Sequence, residues 1–335
     1  MNSSVDLSNL VAKAFGKEPG CLGACFVKNV PDLPVLRKKL LRLASEFALL
    51  PDEAKQKSVH KESSYLFGWS HGKEIMNGKP DLAKGSFYNN PIRDSSPVQK
   101  DVDYILKFPE YAFANVWPED FPELREAFMR LGQLIVHVGK RVCFHCDKYL
   151  ASKLDLPPNF IEKAISDSET TKARLLHYFP IPEEYNQSRE DSWCGLHLDH
   201  SVITGLVSAI YFDETDPVSI KEVDKSDANV AKALEPAGLY IQSRGDEFVQ
   251  VNNSLRLYVS CQTQILCKPI FQKVKIPEDC LAFQIGEAAQ VASEGLLVAT
   301  PHLVKGASFP NVARNTFAVF MQVSNYSLVF NRKIH

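Results

Sequence analysis

Trp193-Cys194-Gly195-Leu196-His197-Leu198-Asp199-His200-Ser201-Val202-Ile203-Thr204 reads as an extended segment that runs into a strong strand former. Side chains two apart on a strand share a face, so His197 and Asp199 can reach one ion together while His200 points away. A His-x-Asp triplet is a short motif that arises easily by accident. The chain supplies its own decoy in His145-Cys146-Asp147, which falls on a long helical pattern where a two-residue step turns the side chains apart. Cys143 and Cys146 form a Cys-x-x-Cys there, but no second pair at zinc-like spacing follows. Residues 143–147 therefore read as packed helix, and the 197/199 pair as the site.

A third ligand from a distant strand would complete a 2-His-1-carboxylate facial triad, an arrangement that leaves open positions on Fe(II). His302, just after the strand read at Leu296 to Ala299, can supply it, although alone it reads as an ordinary histidine. Twelve residues on, Arg314-Asn315-Thr316 leads into Phe317-Ala318-Val319-Phe320. Arg314 and Thr316 share a strand face, and a guanidinium fork beside a hydroxyl suits a buried carboxylate. Taken singly, an arginine pairing with a surface acid explains it as well.

The bulk numbers exclude more than they assign. Lys+Arg 38 against Asp+Glu 40 gives a charge of −2, without the basic stripe of a nucleic-acid binder. Hydrophobic residues make up 45% of the 335, ample for a core, yet no apolar run reaches the roughly 18 residues that span a bilayer. The first residues lack a charged start followed by an apolar stretch, although Lys13 and Lys17 leave a weak transit peptide open. Eight scattered cysteines fit free thiols in a reducing compartment. The expectation is a cytoplasmic monomer with a small-molecule substrate, no nucleic-acid partner and no membrane association.

Asp32-Leu33-Pro34 reads as a helix start, with Leu36, Leu40, Leu43 and Phe47 as its buried stripe and Pro51 beyond its end. Residues 65–97 read as loops with short strands. After Phe121-Pro122, a longer helix has Leu124, Phe128, Leu131, Ile135, Val138 and Val142 on one face. From about residue 170 the texture turns to strands: 175–179, 203–212, 238–242, 274–276, 281–285, 296–299 and 315–323, a spacing that fits a sandwich, barrel or jelly roll. The division expected is an N-terminal region at 1–120, a long helix and linker at 121–169, and a β-core at 170–327.

Over most of its length the chain resembles the 2-oxoglutarate/Fe(II)-dependent dioxygenases of the isopenicillin N synthase-like superfamily. The resemblance is carried by Gly23 to Val30, by the helix ending Leu49-Leu50-Pro51-Asp52-Glu53-Ala54-Lys55, and by His197-x-Asp199 with Ile203-Thr204. Gly238-Leu239-Tyr240-Ile241, Phe283-Gln284-Ile285-Gly286-Glu287, His302 and Arg314-x-Thr316 continue it in order. It implies an α+β chain with a double-stranded β-helix (jelly-roll, cupin-like) core and a helix-rich N-terminal extension packed on it. It further implies Fe(II) on His197, Asp199 and His302, and 2-oxoglutarate with its far carboxylate on Arg314 and Thr316, beside Tyr178. O2 is the third reactant; 2-oxoglutarate would yield succinate and CO2 while a substrate C–H bond is oxidised. Alternatives are an Fe(II) oxidase of the same fold that does not use 2-oxoglutarate, and a non-catalytic jelly-roll binding module.

Three departures stand out. His177-Tyr178-Phe179-Pro180 replaces Asn-Tyr-Tyr-Pro, so a phenol expected near the cosubstrate is missing. The interval from His302 to Arg314 is longer than usual, with 306–310 read as a bulging loop, and Glu287 replaces Asp. The substrate lining is expected from Gly85-Ser86-Phe87-Tyr88-Asn89, Phe317 or Phe320, and His200-Ser201. Residues 251–272 have no counterpart in the family, and Phe248-Val249-Gln250 would read smoothly into Lys273. Valine codons begin GT and Phe-Gln can end in CAG, the letters of intron borders. The segment is thus either a short intron translated in frame or a lineage-specific hairpin, which sequencing of the mature transcript distinguishes.

Overall fold

The computed structural model describes residues 5–76, 78–97, 101–180, 193–242, 271–307 and 311–324. The N-terminal part runs α1 (Ser8–Phe15), β1 (Ala24–Lys28), α2 (Leu33–Ala48), α3 (Asp52–Gln56), β2 (Gly68–His71), β3 (Ile75–Met76), β4 (Lys79–Pro80) and β5 (Lys84–Asn89). Helices α4 (Val102–Lys107), α5 (Pro122–Ala151) and α6 (Phe160–Ser166) follow. The remainder is β6 (Lys172–Tyr178), β7 (Cys194–His197), β8 (Ile203–Val207), β9 (Ile210–Asp213), β10 (Lys221–Glu222), α7 (Ala228–Leu234), β11 (Gly238–Gln242), β12 (Phe271–Val274), β13 (Cys280–Ile285), α8 (Glu287–Ala292), β14 (His302–Lys305) and β15 (Val312–Met321). The chain is a mixed α+β fold.

Its core is two antiparallel sheets. The larger has the order β1-β13-β8-β15-β6-β5-β2, with β9 pairing β15 and β10; the smaller is β12-β11-β14-β7. Alternation along β15 assigns its two faces. Phe317, Val319 and Met321 join α2 and α5 in the main apolar cluster, whereas Val312, Ala318 and Phe320 join Ile241 and Val304 of the smaller sheet. One face of the large sheet is therefore covered by helices and the other by the small sheet, and the site lies between the sheets.

Helix α5 approaches the sheet closely. A Cβ on Gly205 of β8 would sit 2.3 Å from Ile135 Cγ2, and one on Gly139 of α5 would sit 2.5 Å from Met321 Sδ. Leu124, Phe128, Leu131, Ile135 and Val142 are buried as the periodicity requires; Val138 is only partly so, with Val136 and Gly139 taking that contact. The decoy region resolves into structure. Asp147 accepts from the backbone N–H groups of Ile161 (2.8 Å) and Glu162 (2.9 Å) at the start of α6, and burial pushes its carboxyl up to about 6. Burial likewise raises the Cys143 and Cys146 thiols.

Several elements differ from expectation, each for a local reason. The run 203–212 is two strands, because the Ser208 and Ala209 carbonyls turn to the buried Arg37 guanidinium at 2.7 and 3.4 Å. Residues 296–299 are not a strand. Their N–H groups bond Ser293 O, Ser293 Oγ, Phe15 O and Gln290 Oε1 instead of a ladder. The strand expected at 274–276 lies earlier, at Phe271–Val274. Asp32 does precede α2, but with φ 62° and no side-chain cap bond. Residues 251–270 of the questioned segment lie outside the described residues. Its last two, Phe271 and Gln272, pair with Gln242 and Ile241 in the β11–β12 ladder. Of the expected loop at 306–310, residues 308–310 also lie outside the described residues.

Candidate metal centre and carboxylate pocket

Strands β7 and β14 pair so that His197 lies opposite His302, which explains how residues 105 apart in sequence meet. β7 ends at His197, so Asp199 stands just beyond the ladder rather than on it. The Glu287 N–H donates to the Asp199 carbonyl at 2.8 Å, and the Gly286 N–H donates to the Val202 carbonyl at 3.1 Å. Glycine is required there: a Cβ on Gly286 would sit 2.0 Å from Ser201 O. The Glu287 side chain pairs with the exposed His200, which takes no part in the ligand group.

Asp199 Oδ1 lies 3.9 Å from His197 Nε2 and 3.8 Å from His302 Nε2. One ligand atom from each of the three lies within 4.8 Å of the others. Three atoms so spaced share a centre within about 2.8 Å of each, a modest contraction away from the roughly 2.0–2.2 Å bonds of nitrogen and oxygen ligands to a first-row metal such as zinc. Both imidazoles present Nε2 to that centre because their Nδ1 atoms are engaged elsewhere. His197 Nδ1 is 2.8 Å from Gly195 O; His302 Nδ1 is 3.2 Å from Thr300 O and 2.7 Å from Gln284 Nε2. Such outer contacts fix ring orientation and tautomer in metal sites. Burial holds His302 below the ordinary imidazole range. His197 is pushed up to about 9: burial opposes the rise, but the Cys194 sulfur, the Gly195 carbonyl and Asp199 outweigh it.

Arg314, Thr316 and Tyr178 also come together on the inner face. Tyr178 is opposite Arg314 in the β6–β15 ladder, and the guanidinium carbon lies 5.1 Å from the phenol ring centre. Thr316 Oγ1 donates to Val207 O at 3.2 Å. Arg314 is only 7% exposed, yet its Nε and Nη1 have no hydrogen-bond partner among the described residues. Buried charged donors are ordinarily satisfied, so a buried guanidinium unpaired at two nitrogens calls for an anionic partner.

Phe179 packs on His71 and His177, with ring centres 4.8 and 4.5 Å apart, on the helix side of the sheet. A phenol at that position would not reach Arg314, so this departure leaves the pocket intact. Phe317 and Phe87 also face the helices, packing on Phe128, and are not lining. The sequence reading missed a buried charge network on the inner face of β5 and β6. Arg174 bonds Glu74 at 2.6 Å and Ser86 Oγ at 3.0 Å. Tyr88 donates to Glu74 at 2.7 Å, and Lys84 pairs with Asp81 at 2.6 Å and Glu74 at 3.1 Å. Polar residues at alternate positions 84, 86 and 88, with Arg174 on the neighbouring strand, were the available signal.

No protein-family model matches the chain, and no curated protein matches it. Solved structures do. A putative 2OG-Fe(II) oxygenase family protein from Caulobacter crescentus aligns with a TM-score of 0.61 at 19% identity, covering 95% of this chain and 80% of that one. A full-length Neurospora crassa protein, solved in complex with alpha-KG and 5-formyluracil, aligns at 0.63 and 17%, covering 96% and 79%. The Arabidopsis thaliana dioxygenase for auxin oxidation 1, as a 2-oxoglutarate complex, aligns at 0.57 and 14%, covering 98% and 91%. The chain has the fold of the 2-oxoglutarate/Fe(II) oxygenases.

Proposed function

We propose that this chain is an Fe(II)- and 2-oxoglutarate-dependent oxygenase that oxidises a C–H bond of a small organic molecule. With it goes the finer reading of the two sheets as a double-stranded β-helix. The observation that carries it is the meeting of His197, Asp199 and His302 on the same inter-sheet side as a buried Arg314 with two unpaired nitrogens. His197, Asp199 and His302 would hold the ferrous ion, which supplies O2 activation coupled to decarboxylation of 2-oxoglutarate to succinate and CO2. The Arg314 fork binds the far carboxylate of 2-oxoglutarate, Thr316 adds a hydroxyl beside it, and the Tyr178 ring braces the guanidinium. Gly195 O and Thr300 O keep both imidazoles turned with Nε2 inward. Arg314 and Thr316 are buried between the sheets, where such contacts are strongest. Relatives of this fold are solved with thymine, 5-formyluracil or 2-oxoglutarate bound, in keeping with a small substrate. No span-length apolar helix exists among the described residues.

Succinate formation from 2-oxoglutarate by protein loaded anaerobically with Fe(II) and then exposed to air tests the reading. Arg314→Ala should raise the 2-oxoglutarate concentration at half saturation on the order of 100-fold, the loss of a paired charge-assisted bond. Substrate turnover that persists without 2-oxoglutarate would instead establish the oxidase reading. Failure to bind a divalent metal would leave a binding module.

A further inference from the structure

The two histidines of the metal-ligand group are held differently at their far nitrogens. His197 Nδ1 lies 2.8 Å from Gly195 O. A carbonyl only accepts, so the proton sits on Nδ1 and the Nε2 lone pair is left for a metal. His302 Nδ1 meets two groups of opposite character. Thr300 O at 3.2 Å calls for a proton on Nδ1, whereas the Gln284 amide nitrogen at 2.7 Å calls for a lone pair there. Both cannot be served at once, because a protonated Nδ1 so close to an amide NH2 sets donor against donor.

Gln284 decides between them. It lies on β13, cross-strand from Thr204 of β8, and is 1% exposed. Its Nε2 donates to Thr300 O at 3.1 Å and to His302 Nδ1, while its buried Oε1 has no hydrogen-bond partner among the described residues. That arrangement puts the His302 proton on Nε2, the atom 3.8 Å from Asp199 Oδ1. A neutral imidazole protonated there has no lone pair to offer a metal. Turning the amide over brings Oε1 to Nδ1, gives the orphaned acceptor a donor and holds the proton on Nδ1. The turn gives up the bond to Thr300 O, so it is unfavourable until a metal claims the Nε2 lone pair.

We propose that Gln284 is a positioning residue whose amide has two settings, and that a divalent metal on His197, Asp199 and His302 selects the second. In the first, the amide nitrogen faces His302 and the ring is protonated on Nε2. In the second, the amide oxygen faces it; the proton leaves Nε2 and one is taken up at Nδ1, so the ring stays neutral. His197 needs no such change. Carboxylates and backbone carbonyls behind ligand histidines hold one tautomer permanently, whereas an amide can serve either. The second setting rests on the function proposed above; the first does not.

NMR of nitrogen-labelled histidines in the full-length protein reads the setting directly, because bare and protonated ring nitrogens give distinct signals and His302→Ala assigns them. Metal-free parent should show His302 protonated on Nε2. Saturating Zn(II), a diamagnetic probe, should move the proton to Nδ1. In metal-free Gln284→Glu, which offers oxygens to the ring, Nδ1 should already carry a proton. Calorimetric titration should show Zn(II) held about 10–100-fold more weakly by Gln284→Leu, the usual effect of losing an outer partner, and at least as tightly by Gln284→Glu as by the parent. A metal-free parent already protonated on Nδ1 overturns the proposal, as does a Gln284→Leu protein that matches the parent in tautomer and Zn(II) affinity. Should Gln284→Leu fail to fold, the parent and Gln284→Glu tautomers still decide. The expected metal-free tautomers without His302-dependent Zn(II) binding would overturn the metal reading and, with it, the second setting.

Discussion

His177 shows what one substitution in a motif does to its surroundings. It lies on the helix side of β6 with its Nδ1 at 2.8 Å from Asn315 Oδ1, while the Asn315 amide donates to Leu41 O at 2.6 Å and Ser45 Oγ at 2.7 Å. With both amide protons so used, Oδ1 must accept, which puts the imidazole proton on Nδ1 and leaves the Nε2 lone pair facing Glu214 at 3.6 Å. Burial holds His177 down at about 4 and lifts Glu214 to about 7, so the two form a neutral pair rather than an ion pair. The signs oppose. The Glu214 carboxyl, raised in the fold, contributes stability that is full below its unfolded value of 4.5 and lost as pH rises through about 7. His177, depressed, contributes stability present above 6.5 and lost as pH falls through about 4. Glu214→Gln removes the first dependence only. Relative to the parent, the variant should gain stability on going from pH 5 to pH 8, with a ceiling on the order of 3 kcal/mol. Urea unfolding of both metal-free proteins at the two pH values measures this, and identical pH dependence would refute the neutral-pair assignment.

At the scale of elements, the contact of α5 with the large sheet decides how closely the helical layer sits. Gly205 lies under Ile135 Cγ2 and Phe283 Cε1, at 2.3 and 3.1 Å from where a Cβ would be. Gly205→Ala should therefore overpack the layer and cost about 1–3 kcal/mol, read as a lowered urea midpoint with unchanged slope. An unaltered midpoint would mean that the helix moves freely on the sheet. Both α5 and its buried stripe were legible in the sequence, because a 3.6-residue period needs only local information. The errors were of another kind. Ser208 and Ala209 break a run of strand formers because of Arg37, which is 171 residues away from Ser208. Residues 296–299 are strand-like in composition but find their donors' partners in α1 and α8. Hydrogen bonds of this type, local or long-range, leave no periodic trace.

Across the whole molecule, the group of His197, Asp199 and His302 was legible because two of its members lie two residues apart and the third precedes a distinctive Arg-x-Thr. Gln284 against His302 and the Glu74–Arg174–Tyr88–Lys84 network were not, since they join segments about 10 to 100 residues apart. Strand register places two chemically different ends in the space between the sheets. A cluster suited to a dication lies at one, and a buried guanidinium lies at the other. Opposite charges bound at separate ends of a preformed space should stabilise the fold independently unless a single molecule bridges them. Mn(II), which mimics Fe(II) without air oxidation, should stabilise the protein by about 2.7 kcal/mol when free ion is a hundredfold above Kd. That gain should vanish in His302→Ala and persist in Arg314→Ala. Unfolding with Mn(II) together with glutarate, a dicarboxylate that lacks the 2-oxo group, should give the sum of the separate gains. Addition of 2-oxoglutarate to the Mn(II) protein should exceed the sum, because one molecule then touches both ends. A Mn(II) response indifferent to His302, or 2-oxoglutarate that merely adds, would mean that the two ends are not halves of one site.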